Sequence, residues 1–387
     1  MFYIYLSIYF FFGSIKDEIL KKNKSKFLIF LLIFLFCFTY QMGTDWLSYQ
    51  NYYENIFVNT DWEDLLLKNV RIERGYVLLN IFFYKLGFNY EIFSGLVLSV
   101  CTYITLKYIQ EKSKNKYLAF YVFFIYMFNA ALLEPLMRQV IALTIFIVSL
   151  KYLEKKKFLK YVFFIFLAAQ FHRTAYLLLP LYFINYIKFS VKKVIVIILL
   201  FKLLLNTMID IVIYIFPKYM EYLTAKRYAP KELTITTIIM CVYHIFIIFY
   251  IYKNSDRKRN YILNFACIYV ILSSIVVYFP IINRLNLYFA PFIAIALSYI
   301  AEFYFLNEKI SESIEKKLVV IISIFLISTT MFYRRITVGG DLVSLAYLNY
   351  KNYIIEFIKG DLKNDFSEKK SFYENQVKKI MEKEDEE

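Results

Sequence analysis

Arginine is the scarce base in this chain, and its positions are the first candidates for chemistry. Ten of the 46 basic residues are Arg, and the other 36 are Lys. Arg71, Arg74, Arg138, Arg173, Arg227 and Arg284 stand in short segments between long apolar runs. Lysine anchors a chain at a lipid interface as well as arginine does. Choosing the planar guanidinium fork points instead to recognition of phosphate or carboxylate. Arg138, Arg173 and Arg284 each fall at or beside the start of an apolar run that reads as a helix. A helix N-terminus carries unpaired N–H groups and roughly half a positive charge. Three such ends, each with a guanidinium and with Arg74 nearby, predict an anion pocket. Interface anchoring of the whole set is the competing reading.

A site that binds an anion and moves a proton also needs a base. Asp45 follows an apolar run in Gly43-Thr44-Asp45-Trp46, and on a helix Tyr49 and Tyr52 or Tyr53 would share its face. Glu73 precedes Gly75-Tyr76, and His172 adjoins Arg173. Asp45, Glu73 and His172 are the candidate catalytic residues, Asp45 first. A solvated loop carboxylate is the alternative for each acid. Glu134 precedes Pro135 and lies four residues before Arg138, so it reads equally as a helix-start acid in an i,i+4 pair. Trp46, Tyr49 and Gln139 are the candidate sugar contacts; for Trp46 and Trp62 the competing reading is an interfacial aromatic belt. His244 lies mid-run among aliphatics and reads as a packed neutral histidine. Lys202 and Asp210 lie inside one run and read as polar contacts within a bundle. Cys37, Cys101, Cys241 and Cys267 sit inside apolar runs without paired spacing, which fits neither disulfides nor metal ligands. With two histidines and no Cys/His cluster, neither a metal nor a cofactor is expected.

The elements that must position these residues follow from composition. The 387 residues are 60% hydrophobic, with only 8 Gly and 6 Pro, more apolar than one water-facing core can absorb. The formal charge of +15 comes in short clusters between apolar runs, not as one stripe, which excludes a nucleic-acid reading. A disordered chain and a disulfide scaffold are excluded on the same composition. The prediction is an all-α, polytopic integral membrane helix bundle of about 11–12 spans, at roughly 20 apolar residues per crossing. Candidate spans are 2–13, 27–41, 91–109, 117–133, 136–152, 158–171, 174–188, 194–216, 235–252, 261–279, 284–305 and 317–333. Residues 76–86 are too short to cross and read as a re-entrant or interfacial helix, following an outer loop at 42–75. Residues 1–333 thus form the transmembrane domain and 334–387 an amphipathic, charged tail.

Loop charge orients the bundle. Loops 14–26, 110–116, 151–160, 188–193, 253–260 and 306–317 hold 23 Lys and Arg, and the alternate set holds 10. The positive-inside rule makes the first set cytoplasmic. Only Arg257 and Arg259 among those 23 are Arg, against six of the 10 outer bases. Spans 158–171 and 174–188, read as α-helix, rise only about 21–23 Å against about 30 Å of hydrocarbon. A recessed outer end is therefore expected, with His172 and Arg173 near the floor of a cavity. The tail's side is left open, because span counting places it outside while Arg334 and Arg335 pull inward.

Five short runs resemble the EpsG family, the Wzy-like polymerases of bacterial exopolysaccharide and O-antigen. They are Gly43-Thr44-Asp45-Trp46-Leu47-Ser48-Tyr49, Glu73-Arg74-Gly75-Tyr76, Arg138-Gln139-Val140-Ile141-Ala142, Phe171-His172-Arg173-Thr174-Ala175 and Arg284 to Tyr288. Their order and spacing relative to the spans carry the likeness, over about 27–305; Thr174 departs mildly from a family pattern that more often has Ser there. The resemblance implies a GT-C-like or Wzy-like architecture in the bacterial cytoplasmic membrane. It implies polymerisation of undecaprenyl-diphosphate-linked oligosaccharide units at the outer face, with a chain-length regulator and a flippase as further partners. The alternatives are a flippase or transporter of the lipid-linked oligosaccharide, an O-antigen ligase, or a membrane acyltransferase. A flippase would need ionisable groups along a path through the midplane, where only Lys202, Asp210 and His244 are available.

Overall fold

A computed structural model describes residues 2–20, 25–40, 42, 46–55, 72–131, 137–187, 189–215, 235–254, 260–276, 282–299, 318–319, 321–330, 350–360, 362 and 375. Among these the fold is all-α, and the one β-type pairing is an isolated bridge between Thr39 and Asn352. The apolar runs become helices: Phe2–Leu20, Ser25–Cys37, Tyr90–Lys112, Lys116–Ala131, Met137–Glu154, Phe158–Ala169, Val191–Ile215, Ile235–Asn254 and Asn260–Val276. Leu, Phe and Ile runs with almost no Gly or Pro leave the backbone no cheaper way to pair its N–H and C=O groups. Ala290–Ser298 is the central helix, with every residue buried. It packs on Lys116–Ala131 and Asn260–Val276, where Phe292 meets Phe265 at 4.7 Å between ring centroids. Small residues such as Ala290, Ala294 and Ala296 let those neighbours approach it from all sides.

The helices run back and forth between two ends that differ in chemistry. At one end Lys112 Nζ lies 2.8 Å from Glu154 Oε1, to which the Tyr261 hydroxyl also donates at 2.5 Å. The Lys114 N–H donates to Ser298 Oγ there, and Asn115 Nδ2 donates to the Ser14 carbonyl. At the other end, the chain around 46–55, 72–90, 137–139, 170–174 and 283–288 comes together, and this end carries Arg74, Arg138, Arg173 and Arg284. The short helices Trp46–Asn55 and Arg74–Lys85 lie here, joined to the long helices where Tyr53 OH donates to the Phe88 carbonyl at 2.8 Å. The predicted 76–86 piece is therefore a helix that starts earlier, with Glu73 as its N-cap.

Segment 174–188 departs from the α-helical expectation. Arg173–Tyr186 is a 3₁₀ helix of 14 residues with Pro180 inside it. Proline lacks the N–H that an α-helix needs and clashes with the carbonyl four residues back. Neighbours supply partners for carbonyls along the segment: Tyr161 OH donates to Leu178 at 2.7 Å, and Asn264 Nδ2 donates to Ile184 at 2.8 Å and Ile187 at 2.9 Å. At about 2.0 Å per residue a 3₁₀ helix of this length covers about 28 Å, so it is not short against the bilayer. Only Phe158–Ala169, with 12 residues, stays short. Half of the length argument for a recessed outer end is thereby withdrawn. Arg284 stands in the turn Asn283–Asn286, which runs on through the 3₁₀ turn Leu287–Phe289 into Ala290–Ser298, so it lies at the start of a helical run whose winding changes on the way.

The segment around 350–353 docks at the same end as the arginines. Tyr350 OH donates to the Leu35 carbonyl at 2.5 Å, Asn352 Nδ2 to Phe34 at 2.8 Å, and the Tyr353 N–H to Phe38 at 2.7 Å. Carbonyls at the end of a helix have no intrahelical partner, so this late segment caps Ser25–Cys37. Asn352 also caps the helix Tyr353–Lys359, accepting from Ile354 N–H at 3.0 Å. That helix is the described part of the predicted amphipathic tail.

Large apolar side chains face outward on several helices. Leu159 is 80% exposed, Leu203 78%, Phe246 69% and Phe163 63%, with Leu177 and Leu199 close behind. Among the described residues one helix, Tyr90–Lys112, is long and apolar enough by itself to cross a membrane. Shorter apolar helices include Lys26–Cys37, Lys116–Ile125, Phe158–Ala169 and Tyr261–Val276.

Candidate active site

Glu73 and Arg138 organise the arginine-bearing end. Arg138 is the second residue of Met137–Glu154, and its Nη1 lies 2.6 Å from Glu73 Oε2. Its Nε donates to Tyr49 OH at 3.0 Å, and the guanidinium lies 5.6 Å from the centroid of the Tyr49 ring. Below this pair, buried Tyr76 meets Tyr49 edge-on and Tyr52 face-on, and its hydroxyl reaches Met137 Sδ at 3.7 Å. The second Glu73 oxygen accepts from the Arg173 backbone N–H at 3.2 Å. The loop before Arg74–Lys85 is thus held against the turn after Phe158–Ala169. Gly75 N–H donates to the Gln170 carbonyl at 2.9 Å, and a Cβ at Gly75 would lie 2.7 Å from that oxygen. Only glycine permits this approach.

His172 forms the second part of the site. Its Nδ1 lies 2.5 Å from Thr174 Oγ1 and 3.5 Å from Tyr288 OH, and the two hydroxyls are 3.3 Å apart. Tyr288 is fully buried and His172 is half-buried. Burial pushes the imidazole down to about 4; Glu73 opposes this, while Arg138 and Arg284 add to it. The ring is neutral at neutral pH.

The remaining sequence candidates divide into three groups. Arg74, Arg173 and Arg284 are exposed at this end. Gln139 is buried, and its Nε2 donates to the Arg284 carbonyl, while its Oε1 has no hydrogen-bond partner among the described residues. It holds the Arg284 turn and presents no open sugar-binding face. Trp46 is buried at the start of Trp46–Asn55 rather than displayed as a stacking platform. Asp45, Glu134, Arg71, Trp62 and Arg227 lie outside the described residues, as do the side chains of Lys202, Asp210 and Cys241. His244 is buried mid-helix, as read, and Cys37, Cys101 and Cys267 are buried thiols without disulfides.

Three contributors escaped sequence reasoning: Thr174, Tyr288 and Gln170. Each was visible inside or beside a quoted run, but no local pattern tells which residues meet across 95 to 116 positions. The partner of Arg138 is likewise Glu73, 65 positions away.

The arrangement offers three exposed arginines, a partly buried acid–arginine pair and a neutral imidazole on one end of a helical bundle. Groups of these kinds can hold an anion and stabilise its charge. Among curated proteins and among solved structures nothing matches the chain. The sequence does match the EpsG family over residues 25–353, and with that span covering most of its length the chain belongs to the EpsG family.

Proposed function

We propose that the chain is a multi-pass enzyme of the bacterial cytoplasmic membrane that polymerises undecaprenyl-diphosphate-linked oligosaccharide units at the outer face. The observation that carries this reading is the gathering of Arg74, Arg138, Arg173 and Arg284 at one end of the bundle, opposite the lysine-rich end. Membrane embedding is supported by the outward-facing Leu159, Phe163, Leu203 and Phe246, since a water-soluble protein rarely shows apolar patches of that extent. Family membership supports the polymerase role.

In the proposed reaction the exposed forks of Arg173 and Arg284, with Arg74, hold the diphosphate. Arg138, fixed by Glu73 and Tyr49, adds positive charge behind it. A sugar hydroxyl of the next lipid-linked unit attacks the anomeric carbon. The new C–O bond forms as the bond to the diphosphate breaks, and the electron pair leaves with the diphosphate. The hydroxyl proton goes to a base, for which Asp45 is the first assignment, with Glu73 and His172 behind it. The arginines neutralise the charge that a divalent ion would otherwise meet.

Deleting the gene tests the reaction class. Accumulation of single lipid-linked units at the outer leaflet is expected. Accumulation on the inner side identifies a flippase, and free polymer that is never attached identifies a ligase. Arg284→Lys keeps the charge and loses the fork on an exposed turn; wild-type polymer length in that variant, at equal protein level, removes Arg284 from diphosphate binding.

A further inference from the structure

We infer that His172 acts as a neutral hydrogen-bond donor through Nε2–H, locked in that tautomer by Thr174 and Tyr288, and is not the base. This deepens the proposed transfer reaction and rests on it for the identity of the acceptor of that hydrogen bond, the departing diphosphate. The geometry argument does not depend on the substrate.

Counting hydrogens on three side chains fixes the tautomer. Tyr288 and Thr174 each have one hydroxyl hydrogen to place, and His172 has one ring hydrogen. Among the described residues the partners within reach are these three groups themselves: Nδ1 to Oγ1 at 2.5 Å, Oγ1 to the Tyr288 hydroxyl at 3.3 Å, and that hydroxyl to Nδ1 at 3.5 Å. If Nδ1 carried the hydrogen and donated to Thr174, the Thr174 hydroxyl could donate only to Tyr288. The phenol hydrogen would then be left without an acceptor in a fully buried position. If Tyr288 instead donated to Thr174, the threonine hydrogen would find no partner within the group and would have to turn to solvent from a half-buried side chain. A buried donor left unmade costs about 1–3 kcal/mol. Two arrangements give both hydroxyl hydrogens a partner within the group, Tyr288 to Thr174 to Nδ1 or Thr174 to Tyr288 to Nδ1; in both, Nδ1 accepts and Nε2 keeps the ring proton, directed out of the group. The direct approach of Tyr288 to Nδ1 requires the same acceptor nitrogen.

The charges around the ring agree with this role. Glu73 faces it from the start of Arg74–Lys85, Arg138 from Met137–Glu154, and Arg284 from Asn283–Asn286. Two arginines against one carboxylate disfavour an imidazolium, and burial adds to that, so the donor is uncharged when the substrate arrives. A neutral imidazole N–H gives a directed hydrogen bond to a phosphate oxygen as negative charge grows there, and it loses no proton in the step. The acceptor's proton must then go elsewhere; Glu73 already receives Arg138 and the Arg173 N–H, and Asp45 stays the first assignment made from the sequence. Thr174 and Tyr288 are positioning residues, acting on the substrate only through His172.

The chain has 2 histidines, so ¹⁵N-histidine labelling yields two imidazoles, and His172→Gln identifies which signal is His172. At pH 7 the His172 spectrum is expected to show a protonated Nε2 and a bare Nδ1. Thr174→Val should shift the ring toward the other tautomer, and Thr174→Ser should restore it. A protonated Nδ1 in the wild type overturns the inference whatever the protein's reaction is. Activity is then read on single lipid-linked units extracted from the deletion strain. His172→Gln, which offers an amide N–H where Nε2–H stood but cannot take a proton, should keep activity within about tenfold of wild type, whereas losing a base costs about 10²–10⁴. A loss of that larger size, with binding of undecaprenyl diphosphate retained, returns the base role to His172. A deletion strain with no accumulated units refutes the polymerase reading and leaves the tautomer result standing.

Discussion

Glu73 and Arg138 form the contact on which the site's geometry most depends, and replacing Glu73 by Gln measures it. The side chains are 10% and 26% exposed and 2.6 Å apart, so the pair is largely but not wholly withdrawn from water. Two unit charges about 4 Å apart at an effective dielectric near 20 attract by about 4 kcal/mol. Glutamine keeps the shape and one accepting oxygen, which retains about 1 kcal/mol of hydrogen bonding. Allowing for the exposed quarter of Arg138, the expected loss is about 2 kcal/mol, below the range of about 3–5 kcal/mol for breaking a fully buried pair. The same substitution made where Arg138 is already Met should cost far less. Thermal unfolding of wild type, Glu73→Gln, Arg138→Met and the double variant in one detergent therefore yields a coupling energy of about 2 kcal/mol. For a chain of this size that corresponds to an apparent Tm shift of about 3 °C for Glu73→Gln alone. A coupling indistinguishable from zero would mean that the pair is solvated and organises nothing, and the stitched-loop account of the site would fall with it.

Other perturbations test the frame around that pair. Gly75→Ala places a methyl against the Gln170 carbonyl and should cost about 1–3 kcal/mol with a fall in polymer yield; unchanged thermal stability would show that the two loops separate freely. Asn352→Ala removes both a helix cap and the donor to Phe34, for about 2 kcal/mol together, whereas Asn352→Asp keeps the cap and should lose about half of that on the same unfolding assay; equal losses would discount the Phe34 contact. His172 is held at about 4, below its ordinary value, so the unfolded chain binds the extra proton first. Its contribution to stability is complete above the ordinary value near 6.5, falls as pH drops toward about 4 and changes no further below that. A pH series of unfolding temperatures should show that decline in wild type and lack it in His172→Gln.

Local pattern made the helices legible. Apolar runs free of Gly and Pro marked Ser25–Cys37, Tyr90–Lys112 and Met137–Glu154 within a few residues. The choice of Arg over Lys marked the site's end of the bundle, because that choice is chemical and survives without coordinates. The winding of segment 174–188 around Pro180 was not legible, because it depends on Tyr161 and Asn264 arriving from other helices to donate to the carbonyls of a tighter helix. Successive helical residues point about 100° apart, so Arg138 meets Glu73 while the adjacent Gln139 points inward to the Arg284 turn. The partnership of Glu73 with Arg138 could not be read at all, since many carboxylates satisfy an arginine and only the fold selects one.

The docking of residues 350–353 also has a consequence in time. Leu35 and Tyr350 are 315 positions apart, and Phe34 and Asn352 are 318 apart. At roughly 5–20 residues per second of synthesis, the end of one of the earliest helices waits about 15–60 seconds for its partner. During that interval its last carbonyls must be served by water or lipid headgroups. A nascent chain is therefore open on this flank until residues 350–353 have been made, and a quality-control protease meeting a molecule that lacks them would find its entry there.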